Sequence, residues 1–512
     1  MLEREPARPD AHAESAPAGQ VVYRRILLVF GALAAVAIAG HFFVAFTAAN
    51  ELNPVESIIA AQSRAFARFG TLYYDLKSYP YTVCTYMPVF YLLQAGLYHR
   101  GLPILLAGRL VSIAALLVIL WLLWRTVELY TGDKYAAWTG LVLAGVTPLL
   151  HEWGTIAKVD LLAVAFSLAS LYFYSRHRIR GENTLLLAAA WALAGLLTKQ
   201  TAVAAPASIF LLLIVSRPAK ALRFAAVVGG LGGAIVLGLN AWLNGRFLAN
   251  TLFANLNPFA WEKFQLQLLS AAFALAPLLL ITALGAGKAI RAGMGAPFVY
   301  LAGALLVFIP TCGKVGADTN YSVESVVAVI LCSCLALHAL HFFPLYFRHS
   351  KSWITLLLLP IGVYAVYSLR ATTFALLDRT ARERKFVAQI AALQPDLTAN
   401  GRLLSADSNA VLQADRAIEV EPIIYCQLVE AGRIDPTPLT NDLQASAFSR
   451  ILLYEEVNQP AGLYLETPQF TQAQSAIIRS RYRLRARVPG PYREGLYVYE
   501  PAGLQAPQPA TP

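Results

Sequence analysis

The sequence predicts an α-helical polytopic membrane protein, with about eleven transmembrane helices and a small C-terminal extracytoplasmic α/β domain. Three observations predict the helical membrane part and its appendage. Of 512 residues, 57% are hydrophobic and 14% charged, a balance that would leave a soluble protein with too much apolar surface. Apolar runs of roughly 15–25 residues recur as far as Arg370. Beyond Ala371 the runs shorten and alternate with helical stretches.

The formal net charge of +11 is spread over loop Lys and Arg, which set membrane orientation and do not form a nucleic-acid footprint. No P-loop, dinucleotide fingerprint or HExxH motif occurs, which argues against nucleotide-driven transport and zinc proteolysis. The five cysteines, Cys84, Cys312, Cys332, Cys334 and Cys426, have no metal-ligand spacing. An oxidising compartment would admit a Cys84–Cys312 bridge.

Residues 1–24 read as a disordered cytoplasmic tail, with Arg24 and Arg25 holding the N-terminus inside. Ile26–Phe46 is then a retained signal anchor, and 47–100 is a large first extracytoplasmic loop. Within that loop, Val55–Phe69 has helical apolar spacing and predicts an amphipathic helix at the membrane surface, stopped by Gly70. Met87–Tyr98 is too short to span and reads as a second interfacial helix. Further spans are expected near Pro103–Trp124, Leu161–Tyr174, Ala221–Leu243, Phe264–Leu284, Pro297–Pro310, Ser325–Leu345 and Trp353–Leu369. The run Thr184–Val215 is too long for one span and has basic loops at both ends, so it should be two short helices turning outside at Thr198-Lys199-Gln200. The membrane domain thus covers 25–370. An extracytoplasmic α/β domain covers 371–501, with short strands at Arg402–Ser405, Arg450–Tyr454 and Gly495–Tyr499 and helices at Pro422–Ala431 and Phe470–Arg479. A Pro/Ala/Gln-rich tail, 502–512, follows.

This orientation gathers the ionisable residues at one face of the membrane, where such groups at span ends mark a pathway or site if they point into the bundle. Glu51 and Glu56 are carboxylates able to take a proton from a hydroxyl, although each also suits a plain interfacial or first-turn acid. Asp160 opens a span as a second carboxylate, equally readable as an N-terminal helix acid. Lys199, with Lys158 and Arg246 behind it, offers positive charge for a lipid phosphate, or simply snorkels to the interface. Asp75, Lys77 and Tyr86 stand in the first loop. Asn320, Tyr321 and Glu324 belong to a polar segment beside a span, suited to sugar hydroxyls or phosphate, or to a solvated turn. His151 and Glu152 are weak candidates for a divalent cation. No metal or cofactor is otherwise expected.

The stretch PVESIIAAQSRAFARFGTLYYDLKSYPYTVCTYMPVFYLL, the segment TPLLHEWGTIAKVDLLAVAFSLASLYFY, the hairpin AGLLTKQTAV and the NYSVE segment together resemble the GT-C superfamily of polyprenyl-phosphate-sugar glycosyltransferases, in particular its ArnT/PMT-like and RgtA/B/C/D-like membrane proteins. The resemblance implies an extracytoplasmic site in a bacterial inner membrane, a polyprenyl-phosphate-sugar donor, a glycan, lipid or protein acceptor, and inversion at the anomeric carbon. It assigns the base to Glu56 or Glu51, orientation to Asp160 and the lipid phosphate to Lys199 with Lys158 or Arg246. One position departs from the pattern. The family commonly carries an Asp directly before a Glu in the first loop, and this chain has Val55 before Glu56. A non-catalytic protein of the same fold is therefore one alternative. A lipid-linked-sugar transporter or flippase is the other, and it would place ionisable groups at mid-span and show an internal repeat.

Overall fold

The computed structural model describes residues 18–342, 353–457, 468–491 and 495–503. Residues 1–17 of the expected N-terminal tail, most of the basic loop around Arg348 and Lys351, and the C-terminal residues from 504 lie outside these, whereas residues 18–24 are helical. The chain opens with α1 (Ala18–Thr47), whose Ile26–Phe46 core is the expected first span. Next come α2 (Pro54–Phe69), α3 (Val89–His99), α4 (Ile104–Thr131), α5 (Lys134–Val146), α6 (Pro148–Gly154) and α7 (Asp160–Arg180). The expected hairpin is present as α8 (Leu185–Leu196) and α9 (Ala204–Ser216), with Lys199 in the turn between them. There follow α10 (Pro218–Ala225), α11 (Gly232–Trp242), α12 (Arg246–Thr251), α13 (Trp261–Ala289), α14 (Gly295–Thr311) and α15 (Val323–Ala339).

Among the described residues five helical stretches are long and apolar enough to cross a membrane: Gly19–Thr47, Ile104–Thr131, Pro218–Trp242, Trp261–Thr311 and Thr319–Ala339. The longest is α13 and α14 joined across a break at Gly293, where φ is 87°. The bundle closes tightly where α13 meets α15. A Cβ on Gly285 would lie 2.7 Å from the Cα of Ala336, so only glycine permits this approach.

A single helix, α16 (Trp353–Leu397), runs unbroken from the expected last span into the C-terminal region. That region carries a four-stranded sheet, β1 (Arg402–Ser405), β2 (Phe448–Leu453), β3 (Tyr482–Val488) and β4 (Leu496–Pro501), in the order β1-β2-β4-β3. The β1–β2 pair is parallel and the other two are antiparallel. Helices α17 (Ser408–Gln413), α18 (Pro422–Glu430), α19 (Thr437–Gln444) and α20 (Gln472–Arg481) surround it.

Helix α2 forms where expected. Asn53 caps its start by accepting from the Val55 N–H, and Gly70 ends it in the left-handed region at φ 69°. Its placement differs from the expectation. The amphipathic pattern predicts an exposed polar face, whereas α2 is buried continuously from Glu56 to Arg64, packed against α3, α4 and α17. Arg64 and Arg68, on the polar side of the helix, both pair with Asp415 of the C-terminal region. The local sequence carried the amphipathic pattern, but the polar face meets protein. All five cysteines are free thiols, so Cys84 and Cys312 form no bridge.

Candidate functional site

Glu56 occupies the first turn of α2 and is completely buried. Its Oε1 accepts from Arg109 Nε at 2.8 Å and from the Ala157 N–H at 2.8 Å; its Oε2 accepts from Arg109 Nη2 at 2.9 Å and the Leu52 N–H at 2.7 Å. Arg109, also fully buried, donates further to the carbonyls of Ala45, Ala48 and Asn50. Four donors saturate this carboxylate. Glu56 and Arg109 thereby tie together α1, α2, α4 and the segment before α7.

That segment delivers the polar centre. Asp160, the first residue of α7, is 2% exposed. Its Oδ1 accepts from Lys199 Nζ at 2.6 Å and from Asn320 Nδ2 at 2.8 Å. The hairpin turn brings Lys199, and the short 3₁₀ helix Thr319–Ser322 brings Asn320 and Tyr321. Lys158 Nζ stands 3.9 Å from Asp160 Oδ2 and 4.6 Å from the Trp153 ring centre, and burial lowers its pKa. Lys199 Nζ lies 4.6 Å over the Tyr321 ring. Two acceptors here are buried without a hydrogen-bond donor among the described residues: Asp160 Oδ2 and Asn320 Oδ1. A small cavity opens beside them, lined by Asp160, Lys199, Thr311, Asn320, Tyr321 and Glu324. The Tyr300 hydroxyl donates to Glu324 at 3.0 Å.

Lys314, which opens the polar segment running to Glu324, adds a third ammonium. It donates to the carbonyl and side-chain oxygens of Asn255. Burial, with the nearby Lys199 charge, brings its pKa down to about 8. Its position beside Gly313 and Gly316 in a polar turn was the only signal for it.

Tyr321 also lines a second cavity, together with Val55, Tyr86, Tyr91, Asn255 and Glu421. Tyr86 lies within electrostatic reach of Tyr321, Asp160 and Glu421, and burial raises its pKa. Glu421 comes from the turn preceding α18. The signal for it was an acid directly before a proline-started helix in an apolar stretch, VEPIIYC, but nothing local ties it to the first loop.

The remaining expected residues stand apart. Asp75 and Lys77 are exposed and form a turn, with the Lys77 N–H donating to Asp75. Arg246 donates to the Leu243 carbonyl and lines neither cavity. Glu51 is buried beside the C-terminal region, its N–H donating to Asn409 Oδ1 at 3.4 Å, and lines neither cavity. His151 is buried with its ring 5.6 Å from that of His41. The Glu152 carbonyl accepts from Arg379. No group of three or more His, Cys, Asp or Glu suited to a metal ion occurs among the described residues.

Residues 87–242 match the family model described as dolichyl-phosphate-mannose-protein mannosyltransferase. No curated protein matches the chain in sequence. In fold the chain is similar to ArnT from Cupriavidus metallidurans bound to undecaprenyl phosphate, with a TM-score of 0.63 at 15% identity, over 96% of this chain and 100% of that one. It is also similar to the archaeal oligosaccharyltransferase AglB from Archaeoglobus fulgidus in complex with an inhibitory peptide and a dolichol-phosphate, with a TM-score of 0.51 at 10% identity, over 83% of this chain and 69% of that one. A form of the A. fulgidus enzyme tethered to an acceptor peptide gives 0.51 at 11% identity, over 92% and 74%.

Proposed function

We propose that this chain, a multi-pass membrane protein with the fold of the GT-C superfamily, is a glycosyltransferase. It moves a sugar from a polyprenyl-phosphate-linked donor to a hydroxyl of a glycan, lipid or protein acceptor. Transfer inverts the anomeric carbon and takes place at the extracytoplasmic face of a bacterial inner membrane, where the C-terminal domain also lies. The observation that carries this reading is the pairing of unsatisfied acceptors with surplus positive charge. Asp160 Oδ2 and Asn320 Oδ1 are buried acceptors waiting for donors, and sugar hydroxyls are such donors. Around them stand Lys158 and Lys199, which share Asp160 as their counter-ion, and Lys314, whose charge lies within reach of Lys199.

An excess of ammonium groups in a partly dry site favours a phosphate and, still more, the second negative charge it gains on leaving. In the proposed reaction Asp160 holds the Lys199 ammonium at 2.6 Å and orients the sugar. Lys199 and Lys314 stabilise the departing lipid phosphate, and the tyrosines Tyr86 and Tyr321 form the walls. The structural relatives crystallised with undecaprenyl phosphate and dolichol-phosphate support a lipid-phosphate ligand of this class.

The test uses purified protein in detergent or nanodiscs with a polyprenyl-phosphate-sugar donor. Asp160→Asn keeps an acceptor for Lys199 but loses the charge, and Lys199→Met loses the cation. Each should lower transfer by about 10²–10³-fold, the scale for removing an electrostatic stabiliser, and Lys199→Met should also weaken binding of undecaprenyl phosphate. Both are scored on protein that retains its cooperative unfolding transition. Wild-type turnover by both would overturn the assignment.

A further inference from the structure

We infer that the general base of the transfer reaction is Glu421, supplied from the C-terminal domain to the cavity wall where the first loop presents Val55. This rests on the glycosyltransferase reading above and names a catalytic residue within it. The transfer needs a carboxylate near the acceptor hydroxyl. The first-loop candidates do not provide one: Glu56 is saturated by four donors, and Glu51 lines neither cavity. Val55, the residue next to Glu56, does line the second cavity, and so does Glu421. An acid is therefore present at that wall, but it arrives from the other end of the chain.

The position of Glu421 is fixed by backbone pairing. The Tyr81 N–H donates to the Glu419 carbonyl at 2.9 Å, and the Glu421 N–H donates to the Tyr81 carbonyl at 2.9 Å, so the strip 419–421 lies parallel to the first loop. The Val83 N–H then donates to Glu421 Oε2 at 3.1 Å. Oε1 makes no hydrogen bond among the described residues, which leaves one oxygen held and one available to a substrate hydroxyl. The side chain is 7% exposed. Burial pushes its pKa up to about 7, against the lowering effect of the Val83 N–H, which suits a base working near neutral pH. The titratable groups facing it are Cys84, Tyr86, Tyr91 and Tyr321, none of which carries charge near neutral pH. Tyr321 lines both cavities, so an acceptor beside Glu421 borders a sugar held at Asp160.

Glu421 Oε1 takes the proton of the acceptor hydroxyl, and the acceptor oxygen forms a bond to the anomeric carbon. The bond from that carbon to the phosphate oxygen breaks, and its electron pair leaves with the polyprenyl phosphate. The proton passes from Glu421 to water when product departs.

Glu421→Gln is the informative variant, because its amide oxygen still accepts from the Val83 N–H. It should lower kcat by about 10²–10⁴-fold, with undecaprenyl phosphate affinity and thermal unfolding near wild type. In the wild-type protein kcat/KM should rise with pH through about 7, since the ionised form is the base. That acidic limb should be absent from the residual activity of Glu421→Gln, and Glu421→Asp should recover part of the rate. A Glu421→Gln protein that turns over within threefold of wild type, or keeps the acidic limb, overturns the assignment and leaves the transferase reading standing. A wild-type protein that neither binds undecaprenyl phosphate nor transfers sugar overturns that reading itself. A Glu421→Gln protein that loses lipid binding and its unfolding transition together marks Glu421 as structural, and this too overturns the assignment.

Discussion

At the scale of single residues, burial separates carboxylates that look alike in sequence. Glu56 and Asp160 each open a helix and each sits beside a cation. Both oxygens of Glu56 are hydrogen-bonded, whereas Asp160 keeps one that is not. Glu56→Gln should therefore act on stability. It strands the Arg109 guanidinium without its counter-charge in a fully buried position, and breaking such a pair costs about 3–5 kcal/mol. Chemical unfolding in detergent should report that loss, while kcat of the folded protein falls less than tenfold. A catalytic base would show the opposite pattern. Lys314 makes a pH prediction. Its folded pKa lies near 8 rather than the ordinary 10.5, and only the ammonium form attracts phosphate. Affinity for undecaprenyl phosphate should therefore be full below about 7 and fall as pH rises through about 8. In Lys314→Met the pH-dependent fall should vanish, as titration calorimetry across that range would show.

Among the elements, α2 has the most informative placement. Its periodicity, Asn53 cap and Gly70 stop are local properties, so the sequence was enough to find the helix. The destination of its polar face was not local. Arg64 Nη1 donates to the Leu412 carbonyl and Asp415, and Nη2 donates to the Arg416 carbonyl. Removing it with Arg64→Met strands those carbonyls and should cost about 1–3 kcal/mol. Asp415→Ala should cost under about 1 kcal/mol, because that carboxylate is 62% exposed and screened. Thermal unfolding of the two variants side by side would give this ranking, and the reverse ranking would mean that the ion pair, not the carbonyl caps, docks the domain. The hairpin at Lys199 was legible for a different reason. Basic residues at both ends of an over-long apolar run leave a turn in the middle as the one arrangement consistent with orientation, and α8 and α9 form that turn.

Across the whole molecule, the two cavities lie where four separated parts of the chain meet: the first loop, the start of α7, the hairpin turn and the polar segment before α15. The C-terminal domain adds Glu421 to the same place. By itself the sequence determined the helical membrane class, most helix positions, the strand at Arg402–Ser405 and the candidacy of Asp160, Lys199, Asn320 and Tyr321 among a wider set of polar residues. These follow from hydropathy, periodicity and charge bias, each written within a window of a few turns. Only the tertiary structure decided which acid is sealed and which is open. Ionisation and hydrogen-bond saturation depend on groups that reach a carboxylate from other helices. Arg109 reaches Glu56 across 53 positions, and the first loop meets Glu421 through a Val83 bond spanning 338. No local pattern carries that information, because the donors that close Glu56 and the wall that Glu421 joins exist only once the chain is packed.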